Sequence, residues 1–316
     1  MTQKRTINEL NFDFMRQRKT AAWLSGAALF VCLLWIVFRG FNFGLDFTGG
    51  TLIELSYAQP ADLNEIRALL KEQGQTGATL QYFGSRTDIL IRLAPQAEED
   101  GAGAKLSDRV FAALSRAAEG QVEMRRVEFV GPQVGEELRE QGGLAVLFSL
   151  IGILIYVALR FEWRFAVGAV VALIHDVLFT VGVFSLFQIP FDLTVLAAVL
   201  AVIGYSLNDT IVIFDRVREN FRRMRKGTVI GIINNSINET LSRTLVTSGT
   251  TLLVLVALYV LGGEAIDGFA LALIIGILVG TYSSIYVATA IVVWLGLSRD
   301  DLLPVKKEGA ELDPLP

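Results

Sequence analysis

AVIGYSLNDTIVIF, residues 201–214, is an apolar helical stretch with an aspartate, Asp209, in its middle; LSRTLVTSGTTLLVL, residues 241–255, is the next such stretch, with Arg243 at its head. A charged side chain at the centre of a bilayer costs roughly 2.5 to 3.5 kcal/mol even on a lenient insertion scale, so it faces a partner or a water path rather than lipid. The fold class turns on whether the rest of the chain is built for a membrane, and the function on what this pair does there.

The chain of 316 residues is 53% hydrophobic and only 19% charged, with a mean hydropathy of +0.51. That is more apolar surface than a soluble domain of this size buries. Six runs are long enough to span: residues 20–38, 142–159, 165–187, 192–214, 244–261 and 270–295. At 1.5 Å per residue a helix of about 19 residues covers roughly 28 Å, close to the ~30 Å hydrocarbon core.

The first run follows a charged leader, residues 1–19, and ends in Arg39-Gly40-Phe41-Asn42-Phe43 with no small-residue cleavage site, so it reads as a retained anchor. Basic residues set the orientation. Lys4, Arg5, Arg16, Arg18 and Lys19 precede span 1; Arg160 and Arg164 follow span 2; Arg216, Arg218, Arg222, Arg223, Arg225 and Lys226 follow span 4; Arg299, Lys306 and Lys307 lie in the tail, residues 296–316. Residues 188–191 and 262–268 carry none. Both termini are therefore expected in the cytoplasm, with residues 39–141 outside and residues 142–295 holding spans 2 to 6.

A net charge of -4 gives no sign of nucleic-acid binding, and the basic loop after span 4 is explained by topology and by lipid headgroups. The lone Cys32 lies in span 1 and says nothing of redox compartment. Outside, residues 51–57 read as a strand, 61–73 as a helix, 79–83 and 87–93 as strands about the turn Gly84-Ser85-Arg86, 104–118 as a helix and 122–130 as a strand. The order βαββαβ is the ferredoxin-like split motif. Leu63, Ile66, Leu69 and Leu70 mark the first helix's buried face, and residues 94–103, rich in Ala, Glu and Gly, read as a loose loop. The fold class is thus an α-helical polytopic membrane protein of six transmembrane helices, with a small α+β domain between helices 1 and 2.

Four stretches then match one family in order: Phe43-Gly44-Leu45-Asp46-Phe47-Thr48-Gly49-Gly50-Thr51 after span 1, Val130-Gly131-Pro132-Gln133-Val134-Gly135 before span 2, His175-Asp176 within span 3, and residues 204–220. The chain closely resembles the SecF subunits of bacterial protein export, themselves half-size relatives of resistance-nodulation-division transporters. The resemblance implies a complex with a related six-span subunit, SecD, and association with the SecYEG channel and further translocon accessory subunits. It also implies action on translocating preproteins late in export, with the proton gradient as energy source and no other cofactor. The Asp209, Arg243 and Thr247 positions match those implicated in proton passage in the family.

The residues name faces that agree. Ala197, Ala201, Tyr205 and Asp209 recur every four positions, and Arg243, Thr247, Thr250 and Thr251 share a face of the next helix. Both charges lie toward the same ends of antiparallel neighbours, so they could meet. A carboxylate near Arg⁺ stays ionised; separated from it in a dry site it takes a proton. The bland alternative pairs Arg243 with Glu239, four residues earlier, and leaves Asp209 as structural glue. His175 and Asp176, on a face with Gly168, Ala172 and Thr180, are open to two readings, a second relay or an interhelical polar contact. Ala272, Gly276, Gly280, Ser284 and Ala288 form a small-residue packing stripe. Asp46, Thr48, Gly49 and Gly50 read as architecture, the glycines supplying backbone freedom between span 1 and the sheet.

No enzyme is expected. The residues before Asp209, Tyr205-Ser206-Leu207-Asn208, lack the Gly-x-Gly-Asp of intramembrane aspartyl proteases. A single histidine cannot furnish the His-Glu-x-x-His pair of a zinc protease, no metal site is read, and no Gly-x-x-x-x-Gly-Lys loop is present for ATP. Proton-coupled protein export remains, with a small-molecule exporter of the same architecture and a passive scaffold as rivals.

Overall fold

The computed structural model describes residues 12–94, 102–224 and 227–298. Most of the expected loose loop at 94–103, and the basic residues Lys4, Arg5, Arg225, Lys226, Arg299, Lys306 and Lys307, lie outside them.

A single turn, Phe14–Gln17, leads into α1 (Arg18–Arg39). A one-turn helix, α2 (Leu45–Thr48), precedes the outside domain: β1 (Gly50–Tyr57), α3 (Leu63–Glu72), β2 (Thr79–Phe83), β3 (Ser85–Leu93), α4 (Ala102–Ala117) and β4 (Val122–Val130). The sheet is antiparallel in the order β2-β3-β1-β4, the ferredoxin-like arrangement. Ile53 pairs with Ile91 on one side and Val127 on the other, so the period-2 apolar positions of β1 and β3 share a face. Ile53, Leu55, Ile89, Ile91 and Leu93 on that face pack with Ile66, Leu70, Val110 and Leu114 from the two helices. The β2–β3 hairpin reverses at Gly84 alone, whose φ of +72° lies in the left-handed region, and Ser85 and Arg86 already belong to β3.

Five long helices follow: α5 (Pro132–Arg160), α6 (Trp163–Phe187), α7 (Leu193–Arg223), α8 (Val229–Leu261) and α9 (Glu264–Ser283). The last continues through a π-helical turn, Ser284–Ala288, into α10 (Thr289–Trp294). With α1 they make six candidate membrane spans. Several outrun the apolar runs read from sequence because polar residues extend a helix once capped. Pro132 sits at N1 of α5, where its missing N–H costs nothing, and Thr228 caps α8 by accepting the N–H of Gly231 at 3.1 Å.

The most apolar stretches of α6, α7 and the α9 span are 44% to 50% buried, those of α1, α5 and α8 only 11% to 17%. Three helices therefore form the centre and three surround it, presenting broad apolar faces outward. Close approach at the centre rests on small residues: an added Cβ on Gly276 would lie 2.1 Å from a Val202 methyl, and on Gly280 3.0 Å from Ser206 Cβ. At one end Asn234 and Asn238 of α8 grip the backbone of Phe12 with three bonds of 2.8 to 3.0 Å, placing buried Met15 in the main core.

Candidate functional site

Asp209 sits midway along α7 and is 3% exposed. Its one hydrogen bond among the described residues is long, 3.4 Å from Ser248 Oγ of α8, and that hydroxyl is shared with Thr281 of α9 at 2.8 Å. Among the described residues no basic group lies within ion-pairing distance of the carboxylate; Arg243 acts on it through its charge alone. Arg243 is exposed on the outer face of α8, and Thr247 bonds back to the Arg243 carbonyl at 2.9 Å. The structure thus brings Asp209 and Arg243 to adjacent helices without joining them. Arg243 does not pair with Glu239 either, which is taken up by Asn220, Asn235 and Arg223 at 2.8 to 2.9 Å and by Arg216 at 3.5 Å.

Of the hydroxyls around Asp209, those of Ser248, Thr281, Thr210 and Thr244 were not read from sequence, whereas Tyr205 and Thr251 were. Ser248 and Thr281 touch the carboxylate or its partner, and Tyr205 OH reaches Thr251 at 3.3 Å along the same α7–α8 seam. Thr210 and Thr244 are buried, and their hydroxyls have no partner among the described residues. This contrasts with Thr240, Thr247, Thr250 and Thr251, which bond the preceding turn as helical threonines ordinarily do. The sequence signal was the density of Ser and Thr in an otherwise apolar helix.

Asp176, on α6, is fully buried and far better satisfied. Its Oδ2 accepts Ser206 Oγ of α7 at 2.5 Å and Ser283 Oγ of α9 at 2.8 Å, and its Oδ1 lies 2.9 Å from His175 Nδ1. The knot ties the three central helices together. His175 stacks on Phe179 one turn away and faces Tyr282, whose OH reaches α1 at Ser25 and at the Ala21 carbonyl.

Asp46, Gly49 and Gly50 lie at the junction of sheet and bundle. Asp46 Oδ2 accepts the N–H of Leu193 at the start of α7, at 3.0 Å. Gly49 has a φ of +67°, and a Cβ there would lie 2.9 Å from Pro132 Cα; one on Gly135 would lie 2.9 Å from Gly49 N. The backbones of the α2 turn and of α5 therefore touch. Phe43 and Phe191 form a parallel bridge, and Arg92 of β3 donates to the Phe43 carbonyl at 2.8 Å, its burial lowering the guanidinium's pKa against the pull of Asp192 and Asp46.

Comparison with known proteins finds the same plan. The family model "Protein export membrane protein SecD/SecF, C-terminal" matches residues 110–298, and the "SecD/SecF GG Motif" matches residues 34–61. The chain is 53% identical to the protein translocase subunit SecF of Vibrio alginolyticus, with 98% of each chain covered. It is 54% identical to that of Pseudomonas aeruginosa over 84% of this chain and 85% of the other. Among solved structures it is similar to SecDF of Thermus thermophilus, described as a translocon-associated membrane protein, with a TM-score of 0.78 and 38% identity. The match covers 92% of this chain and 39% of that longer one.

Proposed function

We propose, for a chain that belongs to the SecF family of protein translocase subunits, that Asp209 carries the proton through which it draws on the membrane gradient to support export. Membership makes it a multi-pass membrane protein with an accessory role in Sec translocation. The proposal adds a SecD-type partner, contact with the SecYEG channel and with preproteins on the outer side, and cytoplasmic termini.

One observation carries it. Asp209 is buried in a membrane helix with, among the described residues, a single long hydrogen bond and no ion pair, while Arg243 stands exposed one helix away. A buried charge without a partner is expensive, so the carboxylate is held where gaining a proton and regaining a cation are alternatives. Each elementary charge crossing the membrane yields ~2.3 kcal/mol per 100 mV. Asn208 and Arg243, both exposed at membrane depth, favour a second subunit's helices as their cover, because lipid would leave them unsatisfied.

The test is Asp209→Asn in vesicles that also hold the partner subunit and the channel. Size and hydrogen bonding are kept, so assembly should persist, and the part of translocation that depends on an imposed proton gradient should vanish. Unchanged gradient-stimulated export and proton flux would leave a passive scaffold instead.

A further inference from the structure

At the end of the bundle where α1 begins and α5 ends, a cavity of about 510 Å³ opens between α5 and α7, lined by Arg160, Asp215, Arg218, Glu219, Arg222 and Arg223. Four guanidiniums and two carboxylates leave it net positive. Asp215 is already bridged by Arg160 at 3.2 Å, and Glu219 by Arg216 from outside the cavity at 2.9 Å, so neither carboxylate is free to neutralise the remainder. Arg223 is turned to Glu239 at 2.8 Å, whereas Arg222 has no hydrogen bond or ion pair among the described residues.

The arginines are also held in place. The Cζ atoms of Arg160 and Arg218 each lie 5.1 Å from the Phe161 ring centre, and Arg218 Nη1 donates to the Arg160 carbonyl at 3.3 Å. Both are charge-paired where they stand, Arg160 with Asp215 at 3.2 Å and Arg218 with Glu162 at 3.5 Å, so the paired arginines form a fixed polar wall and Arg222 supplies the charge left for an anion.

Depth and surroundings say which anion. The 31 residues of α7 make a helix of about 46 Å at 1.5 Å per residue, some 16 Å more than the ~30 Å hydrocarbon core. The Arg160–Asp215 bridge sets the level at which α5 stops and α7 runs on for two more turns. Beside it Leu159 and Trp163 are 85% and 56% exposed, an apolar and aromatic skirt of the kind found where acyl chains meet headgroups.

We propose that this cavity binds a phosphate group, and that the group belongs to the headgroup of an anionic phospholipid whose acyl chains lie along the exposed face of α5. Bound there, the lipid bridges the peripheral α5 to the projecting end of α7. The inference is independent of the role given to Asp209.

The full chain in nanodiscs of phosphatidylcholine containing phosphatidylglycerol, analysed by native mass spectrometry, tests it. The unmodified chain should retain phosphatidylglycerol in preference to phosphatidylcholine. Arg222→Gln, at an exposed side chain with nothing to lose internally, should weaken retention roughly five-fold, the equivalent of the ~1 kcal/mol given by one basic residue at a membrane surface. Arg222→Lys should restore most of it. Arg16→Gln removes the same charge from the same end of the bundle but outside the cavity, and should change nothing. Equal retention by Arg222→Gln and the unmodified chain, equal loss in Arg16→Gln, or no preference for phosphatidylglycerol would overturn the site. Displacement of the lipid by inorganic phosphate at equal concentration would overturn the headgroup as its occupant.

Discussion

Asp46 Oδ2 accepts the backbone N–H of Leu193 at 3.0 Å, so a carboxylate just past the first span closes the N-terminus of α7, the helix that carries Asp209. Asp192 accepts the N–H of Val195 at the same helix start, at 2.8 Å. Two of the four orphan donors of α7 are thus met by side chains, and both charges favour the positive end of its dipole. The family motif after span 1 is in this way joined mechanically to the central bundle.

Removing that cap should cost about 1 kcal/mol, the usual loss at a helix N-terminus, and Asp46→Asn should cost less than Asp46→Ala. Thermal unfolding of the purified chain measures the total, and amide exchange in the first turn of α7 locates it. Unaltered exchange there in Asp46→Ala would show that the contact caps nothing.

Gly135 faces backbone at the same junction, since an added Cβ would lie 2.9 Å from Gly49 N and 3.1 Å from the Phe47 carbonyl carbon. Backbone cannot move aside as a flexible side chain can, so Gly135→Ala should destabilise by about 1–3 kcal/mol. Gly143→Ala on the same helix meets nothing within 4 Å, and should instead stabilise by up to about 1 kcal/mol through helix propensity. The comparison of the two melting temperatures isolates contact from propensity.

Asp88, at the outer end of β3, titrates below the ordinary carboxylate range because Ser56 at 2.6 Å and then Ser85 at 2.7 Å donate to it, outweighing desolvation, with Arg125 adding its charge at 3.6 Å. A lowered folded-state value means that the stabilisation is present above about pH 4 and is lost as pH falls through that lower value. Acidification should therefore loosen the β2–β3 hairpin before the rest of the sheet. Amide exchange across the hairpin should show this in the unmodified chain, and Asp88→Asn should have lost the acid-dependent part. A hairpin equally acid-sensitive in both chains would remove Asp88 as the cause.

How far the sequence carried the fold depended on whether the signal was local. Six apolar runs and the βαββαβ alternation are local, and they yielded the spans and the sheet order, because β1 and β3 bury every second residue and α3 buries Ile66 and Leu70 one turn apart. Helix ends were less legible. Pro132 and Thr228 begin helices well before the apolar run starts, which hydropathy does not register. The site was half legible: the charges stood out by their cost in lipid, but their partners did not. Asp176 is met by Ser206 and Ser283, 30 and 107 residues away, and Asp209 by Ser248, 39 residues away. Serine in an apolar helix satisfies its own hydroxyl as readily as another helix's carboxylate, so only tertiary packing distinguishes the two.

That distinction bears on His175 and Asp176. With Ser206 and Ser283 on one oxygen and His175 on the other, Asp176 has contacts to fill both sides of an ionised carboxylate, and they join α6, α7 and α9. Contacts to three helices through two buried oxygens suit a tie between helices. Asp176→Ala should then lower stability by about 3–5 kcal/mol, as expected when one side of a buried polar network is deleted. His175→Gln, which keeps an amide donor but cannot titrate, should fold and support gradient-driven export close to normally. The informative comparison is Asp209→Asn against His175→Gln in the same vesicles: the first should lose coupling with its fold intact, the second should keep both. Loss of proton flux in a folded His175→Gln chain would make the histidine a second relay and would overturn the tie.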